Sequence, residues 1–222
     1  MCGRFTQYYT WWQIWEMYNL FPSAPNLQPR YNICPTATID TVISRNGKRE
    51  LVAMRWGLVP SWWKKSLREM KLATFNARAE TITEKSMFRA AFKRTRCLIP
   101  VSAYYEWQDT KEGKQPYLFS ACDGSVLTIA GLWDEWYDIE TGAALKSCTM
   151  VITEPNKFVA EVHDRMPVIL EPDNFEPWLS CKAGIELLKP AAGDILQRWP
   201  VSTRVNTSRA ADDDASLMEK II

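Results

Sequence analysis

Apolar residues recur at helical spacing near the start of the chain. Between Thr10 and Phe21 they fall three and four positions apart, a period that predicts one amphipathic helix. The predicted buried stripe consists of Trp11, Ile14, Trp15 and Tyr18. Thr10 is the expected N-cap, because its hydroxyl can accept a hydrogen bond from the first helical turn. Pro22 and Pro25 end the helix, and Pro22 to Arg30 is predicted to be a loop.

Two alternating segments then predict a β-hairpin. Thr38–Ser44 and Glu50–Trp56 alternate apolar and polar residues, which is the period of a half-buried strand. Asn46-Gly47 lies between them, and this dipeptide favours the two-residue turn that matches the twist of paired strands. Two short helices are predicted after the hairpin, at Trp62–Met70 and Phe88–Arg94.

Strand patterns dominate from Arg96 onward. The predicted strands are Cys97–Pro100, Tyr104–Gln108, Tyr117–Ala121, Val126–Trp133, Ala144–Thr153 and, late in the chain, Trp199–Val205. Short helices are predicted after Pro155, at Asp173–Ser180 and at Gly184–Leu188. Mostly antiparallel strands with helices outside them predict an α+β fold. The chain contains no repeat or low-complexity linker, so one domain over residues 1–222 is expected.

Composition indicates a globular protein rather than a membrane protein. The chain has 222 residues, enough for one sizeable core, and 46% of them are hydrophobic. No apolar run reaches the length of a membrane span, and polar residues interrupt the aromatic start of the chain. Neither membrane attachment nor a secretion signal is therefore predicted, and the expected location is cytoplasmic.

Cysteine and histidine usage predicts neither a metal site nor a disulfide framework. The six cysteines are scattered without a C-x-x-C pair, and His163 is the only histidine. Structural zinc sites need closely spaced cysteine or histidine ligands. A disulfide framework is not expected in a reducing compartment. We therefore expect no metal and no cofactor.

Charge is unevenly distributed along a chain of net charge +1. Lys64 to Arg96 holds ten basic and three acidic residues, a local net charge of +7 that leaves −6 for the remainder. A basic stretch on a neutral protein indicates an anionic ligand, although a solvated helix face is the alternative. Trp56, Trp62 and Trp63 adjoin this stretch and fit a single-strand groove, because bases stack on aromatic rings at roughly 1–3 kcal/mol each. Core burial is the alternative for each tryptophan.

The second residue, Cys2, has two reactive groups if it becomes the amino terminus. Removal of Met1 is expected because the next residue is small, and Cys2 would then carry a free α-amine near pKa ~7.7–8.0 and a thiol near ~8.5. The amine can form a Schiff base with an aldehyde, and the tethered thiol can close onto the same carbon. The product is a five-membered thiazolidine. The alternative is a Met-Cys start with no chemical consequence.

Six segments, in order along the chain, carry a resemblance to a known family. They are Met1-Cys2-Gly3-Arg4-Phe5, Trp56-Gly57-Leu58-Val59-Pro60-Ser61-Trp62-Trp63, Phe75-Asn76-Ala77-Arg78-Ala79-Glu80, Tyr104-Tyr105-Glu106-Trp107, His163-Asp164-Arg165-Met166-Pro167 and Trp199-Pro200-Val201-Ser202. Each segment alone is a weak signal, but their order in one chain is specific. The chain resembles the SRAP family, the SOS-response-associated peptidases or abasic-site-processing proteins, from Met1 through Asn206.

This resemblance implies a sensor of abasic sites in single-stranded DNA, built as a compact α+β domain on a barrel-like sheet. It implies that the amino-terminal cysteine forms a stable thiazolidine with the ring-opened abasic sugar. The family name records a proposed peptidase activity that exposes this cysteine. The positions that match the family's catalytic residues are Cys2, Asn76, Glu106 and His163. We expect a monomer whose partner is single-stranded DNA containing abasic sites.

The chemistry of three of these residues fits that reaction. Glu106 suits general acid–base opening of the sugar if an apolar setting raises its pKa; an outward-facing strand position is the alternative. His163 can shuttle protons because its unperturbed pKa lies near ~6.5, although a lone histidine is commonly structural. Asn76 can donate and accept hydrogen bonds at once, or can form a turn.

The predicted DNA-binding residues are Arg4, Arg78, Arg165, Trp62 and Trp63. A guanidinium fork matches phosphate geometry, so Arg4 and Arg78 are the expected phosphate clamps, and a structural pair with an acidic residue such as Glu80 is the alternative. One of Trp62 and Trp63 is expected to be exposed.

Two other functions remain open at this point. An amino-terminal-nucleophile peptidase or amidohydrolase would use the Cys2 thiol with its own amine as base. A non-catalytic single-strand DNA module would bind without using Cys2 chemically.

Overall fold

The computed structural model describes residues 2–21, 27–207 and 210–221. The strands are β1 (Arg4–Gln7), β2 (Arg30–Ile33), β3 (Thr38–Arg45), β4 (Lys48–Trp56), β5 (Asn76–Arg78), β6 (Arg96–Val101), β7 (Ala103–Thr110), β8 (Gly113–Ala121), β9 (Leu127–Tyr137), β10 (Ala144–Thr153), β11 (Met166–Pro167) and β12 (Leu196–Pro200). The α-helices are α1 (Trp11–Tyr18), α2 (Arg89–Arg94), α3 (Lys157–Ala160) and α4 (Phe175–Leu179). Short 3-10 turns lie at Leu67–Glu69, Ala79–Thr81, Pro172–Asn174, Ile185–Leu187, Gly193–Ile195, Thr203–Asn206 and Ala215–Met218.

Five strands close into a ring. Antiparallel pairs join β3 to β4, β3 to β6, β6 to β9 and β9 to β10, and a parallel pair of β10 with β4 completes the ring. β5 and β11 also pair with β10. The expected α+β fold with a barrel-like, mainly antiparallel sheet is confirmed.

A second, antiparallel sheet has the strand order β12-β8-β7-β1-β2. In the pairing of β1 with β7, Arg4 lies opposite Tyr105 and Phe5 lies opposite Tyr104. One apolar core spans both sheets, and its members from the second sheet and from the start of the chain include Cys2, Phe5, Tyr104 and Phe119. The start of the chain is therefore part of the core.

The predicted hairpin is confirmed residue by residue. β3 and β4 pair in unbroken register from Thr38 opposite Arg55 to Arg45 opposite Lys48. Asn46 and Gly47 have φ angles of 51° and 73°, the left-handed backbone that this turn requires.

The first predicted helix is confirmed as α1, which is shorter than predicted. Thr10 caps it, since its hydroxyl accepts the Gln13 N–H while the Gln13 side chain accepts the Thr10 N–H. Within the helix Ile14 and Tyr18 are buried, whereas Trp11 and Trp15 are only partly buried. Residues 22–26 of the predicted proline loop, like Met1, lie outside the described residues.

Two predicted elements are wrong, and the predicted helix Gly184–Leu188 forms only the 3-10 turn Ile185–Leu187. Trp62–Met70 is not an α-helix and contains only the 3-10 turn Leu67–Glu69. The reason is tertiary, because the segment is tied to β9 through Trp136 Nε1, which donates to the Trp63 carbonyl at 2.7 Å. The late strand begins and ends earlier than predicted, as β12, and a Ser202-capped 3-10 turn follows it.

Two residues that the sequence suggested for ligand binding are instead buried in the core. Trp56 is fully buried, and its Nε1 donates to the Phe75 carbonyl at 2.9 Å, so the expectation that it lines a groove is wrong. Arg96 is also buried, with its guanidinium 4.4 Å from the Phe92 ring centre and 4.3 Å from that of Trp178. Burial lowers the pKa of Arg96. The last residue of the basic stretch therefore belongs to the core and not to the surface.

Within the described part of the chain, none of the helices has the length and apolar character that crossing a membrane requires.

We expect Trp56→Ala to lower the free energy of unfolding by about 3–5 kcal/mol, because it leaves a large cavity and removes one of the two hydrogen bonds that the Phe75 carbonyl accepts. Urea unfolding would measure the loss. Trp62→Ala is the matched control, since Trp62 is 43% exposed and should change stability by only about 0.5 kcal/mol. Equal losses in the two variants would contradict the assignment of Trp56 to the core.

Candidate active site

Cys2 lies two residues before the first residue of β1, and it is fully buried. Its carbonyl accepts a hydrogen bond from Asn76 Nδ2 at 2.7 Å. Asn76 is the first residue of β5, whose parallel pairing with β10 fixes its position. The side-chain amide oxygen of Asn76, Oδ1, is buried and has no hydrogen-bond partner among the described residues. Asn76 therefore holds the Cys2 backbone with one atom and keeps an acceptor unused.

Glu106 lies on β7 and is fully buried. Burial raises the pKa of Glu106 to about 8, so the carboxyl group is mainly protonated at neutral pH. Burial also raises the pKa of the Cys2 thiol far above its ordinary value, and the charge of Glu106 adds to that shift. Cys2 and Glu106 are thus electrostatic neighbours, and the thiol is neutral at rest.

His163 follows α3 and faces Glu106, with Nε2 3.7 Å from Glu106 Oε2. Burial lowers the pKa of His163, so the ring is mainly neutral at neutral pH. Its Nδ1 accepts the Arg165 N–H at 3.0 Å and lies 3.2 Å from a carboxylate oxygen of Asp164. When Nδ1 carries no proton it accepts from the Arg165 N–H, and when it is protonated it can donate to the Asp164 carboxylate. This arrangement suits a residue that gains and loses protons.

A cleft of about 340 Å³ opens over Glu106 and His163. Its other walls are Trp107, Lys114 and Asn206, and none of these three was predicted as a site residue. Strand register would not have found Lys114, because Lys114 lies opposite Asp109, three positions from Glu106 and so on the alternate face of β7. Asn206 Oδ1 accepts a hydrogen bond from the indole Nε1 of Trp107 at 2.6 Å. The two residues are 99 positions apart in the sequence, so no short-range signal would have identified Asn206.

The guanidinium of Arg4 is held by protein acceptors, although Arg4 is only partly buried. It donates to Asn32 Oδ1 at 2.8 Å and to the carbonyls of Val205, Asn206 and Thr207. Arg4 therefore ties β1 to the segment that carries Asn206, a wall of the cleft.

Arg78 and Arg165 lie two residues from Asn76 and His163, respectively. Arg165 forms an ion pair with Glu80. Although partial burial opposes the shift, hydrogen bonds and the charges of Arg165 and Arg78 hold the pKa of Glu80 below its usual value. Both arginines therefore flank Glu80, and Arg78 is exposed.

Of the two predicted stacking residues, Trp62 is 43% exposed and Trp63 is partly buried. Trp63 Nε1 donates to the Ser66 carbonyl at 3.2 Å, and the two indole rings meet edge to face at 6.3 Å. The expectation that one of the pair is exposed is confirmed, and Trp62 is that residue.

Among the described residues, no group of three or more histidine, cysteine or acidic side chains could hold a metal ion.

Comparison with known proteins gives consistent matches along the chain. The family model described as SOS response associated peptidase (SRAP) matches residues 1–208. The abasic site processing protein YoaM of Bacillus subtilis (strain 168) is 37% identical, over 99% of this chain and 98% of its own length. The abasic site processing protein HMCES of Xenopus tropicalis is 34% identical over 82% of this chain and 64% of its own length.

Two solved structures share the fold. A protein from Bacteroides thetaiotaomicron has a TM-score of 0.89 over 100% of both chains at 23% identity, which shows the fold alone. A protein from Bordetella bronchiseptica has a TM-score of 0.80 over 90% of this chain and 100% of its own at 27% identity. The family match over nearly the whole chain, together with relatives more than 30% identical, shows that this protein belongs to the SOS response associated peptidase (SRAP) family.

Proposed function

We propose that this protein processes abasic sites in single-stranded DNA by forming a covalent thiazolidine through Cys2. The observation that carries the proposal is the pairing of a buried carboxyl group, Glu106, with a neutral imidazole, His163, beside Cys2. Groups whose environments push their pKa values in opposite directions supply an acid and a base at the same pH. The relatives named abasic site processing proteins support the substrate class.

The reaction begins with opening of the abasic sugar, which is mostly a closed hemiacetal. Glu106 donates a proton to the ring oxygen while His163 accepts the proton of the C1 hydroxyl, and the aldehyde is released. Once Met1 is removed, the α-amine of Cys2 adds to C1. The resulting hydroxyl leaves as water with a proton from the His163 imidazolium, which gives an iminium ion.

Ring closure completes the adduct. The Cys2 sulfur bonds to C1, the π pair of the iminium moves to nitrogen, and the thiol proton passes to the Glu106 carboxylate. Glu106 thereby regains its starting state, and the net products are a thiazolidine and water. Asn76 contributes by holding the Cys2 carbonyl with Nδ2, and its unused Oδ1 accepts from the Cys2 amine.

The DNA strand passes the cleft between cationic and aromatic side chains. Arg78 and Arg165 contact phosphates, and Lys114 adds a cation at the cleft wall. Trp107 and the exposed Trp62 offer stacking faces for unpaired bases. Arg4 acts indirectly, because its guanidinium holds the carbonyls that position Asn206.

The raised pKa of the Cys2 thiol favours this reaction over cysteine peptidase chemistry. A peptidase nucleophile is a thiolate, and its pKa is lowered by a neighbouring cation or a helix N-terminus. Burial and the charge of Glu106 shift the Cys2 pKa in the opposite direction. Thiazolidine formation needs the thiol only after the amine has captured the aldehyde.

Cys2→Ala should abolish the heat-stable adduct with a single-stranded oligonucleotide that contains one abasic site, because ring closure needs the thiol. A denaturing gel measures the adduct, and intact mass should show that reactive protein lacks Met1. Cys122→Ala is the control, since Cys122 is an exposed thiol in the turn after β8 and should leave the adduct intact. An equally stable adduct in Cys2→Ala would falsify the thiazolidine mechanism. A paired duplex carrying the same site should react more slowly.

The crosslinking rate should fall above about pH 8, because the acid form of Glu106 is present below its raised pKa and is lost as pH rises through it. The rate should also fall at low pH, as His163 and the Cys2 amine become protonated. Glu106→Gln should slow the reaction roughly 100-fold and remove the alkaline limb. Crosslinking rates measured between about pH 5 and 10, which brackets the titration of histidine, the α-amine and the raised Glu106 carboxyl, test this pH dependence. A fall in rate at alkaline pH that survives in Glu106→Gln would exclude Glu106 as the general acid.

Arg78→Ala should weaken binding to single-stranded DNA and lower the salt slope of log K by about 1, because one phosphate contact and its counterions are lost. Fluorescence anisotropy over a salt series measures this, with Cys2→Ala as background so that no adduct forms. Arg45→Ala is the matched control, since Arg45 pairs with Glu50 at the end of the β3–β4 hairpin. Identical slopes for the two variants would remove Arg78 from the interface.

A further inference from the structure

The hydroxyl of Tyr104 is buried without a hydrogen-bond partner among the described residues. Other buried tyrosines in the protein do have partners. Tyr105 Oη donates to the Tyr31 carbonyl at 2.8 Å, and Tyr18 Oη lies 2.7 Å from Thr128 Oγ1. A buried hydroxyl that makes no hydrogen bond destabilises the fold, so a native structure retains few of them. The Tyr104 hydroxyl therefore needs an explanation beyond packing.

Strand geometry places Tyr104 at the candidate active site. Tyr104 and Glu106 are two positions apart on β7, so their side chains leave the same face of the sheet. Tyr104 is paired with Phe5 of β1, three residues after Cys2, and it shares the buried core cluster of Cys2. Its ring stacks on Phe119 with centroids 5.1 Å apart and planes 7° apart, which fixes the ring.

The electrostatic surroundings of Tyr104 agree with this placement. Burial raises the pKa of Tyr104 well above its usual value, and the charges of Cys2 and Glu106 add to that shift. The phenol therefore keeps its proton at any pH at which the protein would act. It is a permanent hydrogen-bond donor located beside a sulfur atom and a carboxyl group.

In the proposed reaction, no residue yet donates a hydrogen bond to the Cys2 sulfur during ring closure. The Cys2 sulfur develops negative charge as its proton leaves, and it does so in an environment that disfavours a thiolate. A donor aimed at developing charge in a dry site is worth far more than the same donor in water.

We propose that Tyr104 is a catalytic residue of thiazolidine closure, whose Oη donates a hydrogen bond to Cys2 Sγ while that sulfur bonds to C1. The thiol proton passes to the Glu106 carboxylate as the C–S bond forms, and the phenol keeps its own proton throughout. This role rests on the proposed function, because it concerns the second bond of the same adduct. It adds a residue to the site that acts on closure and not on aldehyde capture.

Tyr104→Phe tests the proposal, since it removes one oxygen atom and preserves the stacked ring. With single-stranded abasic DNA, borohydride trapping at early times measures imine formation, and a heated denaturing gel measures closed adduct. We expect unchanged trapping and closure that is at least about tenfold slower, the effect of losing one hydrogen bond to a charged group. The melting temperature should stay the same or rise, because an unpaired buried hydroxyl has been removed.

Tyr105→Phe is the matched control on the neighbouring residue. It removes a hydroxyl that has a structural partner, so the melting temperature should fall while the ratio of closed to trapped adduct stays constant. Normal closure in Tyr104→Phe would overturn the proposal. A lower melting temperature with both steps slowed equally would also overturn it, because the hydroxyl would then be structural. If the unaltered protein gives no adduct at all, the proposed function itself fails.

Discussion

The antiparallel pairing of β1 with β7 is the constraint on which the candidate site depends. It brings the first residues of the chain next to residues about a hundred positions later, with Phe5 opposite Tyr104. Because Cys2 is only two residues from the first residue of β1, the same pairing brings Cys2 near Glu106. The hydrogen bond from Asn76 to the Cys2 carbonyl then fixes the cysteine from the side of β10. The β7–β8 pairing holds Glu106 on its own face, so a shift of one residue in the β1–β7 register would instead turn the β1 side chains to the other face of the sheet and displace Cys2.

Burial determines the chemistry of the groups that this pairing assembles. The same removal of water raises the pKa of Glu106 and of the Cys2 thiol and lowers the pKa of His163. All three groups are therefore mainly uncharged at neutral pH. The resting site therefore avoids the cost of burying a charge. Glu106 carries a proton that it can donate, and His163 has an unprotonated nitrogen that can accept one, when the aldehyde is bound. Asn76 Oδ1 and Tyr104 Oη, which have no hydrogen-bond partner within the described part of the chain, adjoin the same site.

The basic residues divide into structural and exposed groups, which composition alone does not reveal. Arg96 is buried between two aromatic rings, and Arg4 holds three backbone carbonyls near the end of the chain. Arg78 stays exposed, and Arg165 is paired with Glu80, so these two are the arginines at the edge of the candidate site. Charge counted along a sequence therefore overstates the surface that an anionic ligand could meet.

The sequence by itself determined the elements and residues whose signals are local. Asn46-Gly47 specifies its hairpin because only a left-handed turn fits the strand twist, Thr10 specifies the start of α1, and the six ordered segments identify the family. Only the tertiary structure decided which strands pair, because pairing depends on contacts between distant segments. It therefore also decided that Trp62–Met70 is not an α-helix, that Asn206 borders the cleft, and that the Tyr104 hydroxyl is buried with no partner among the residues that the structure describes. Each of these outcomes depends on what packs against a residue, and the residues that do so are remote in sequence.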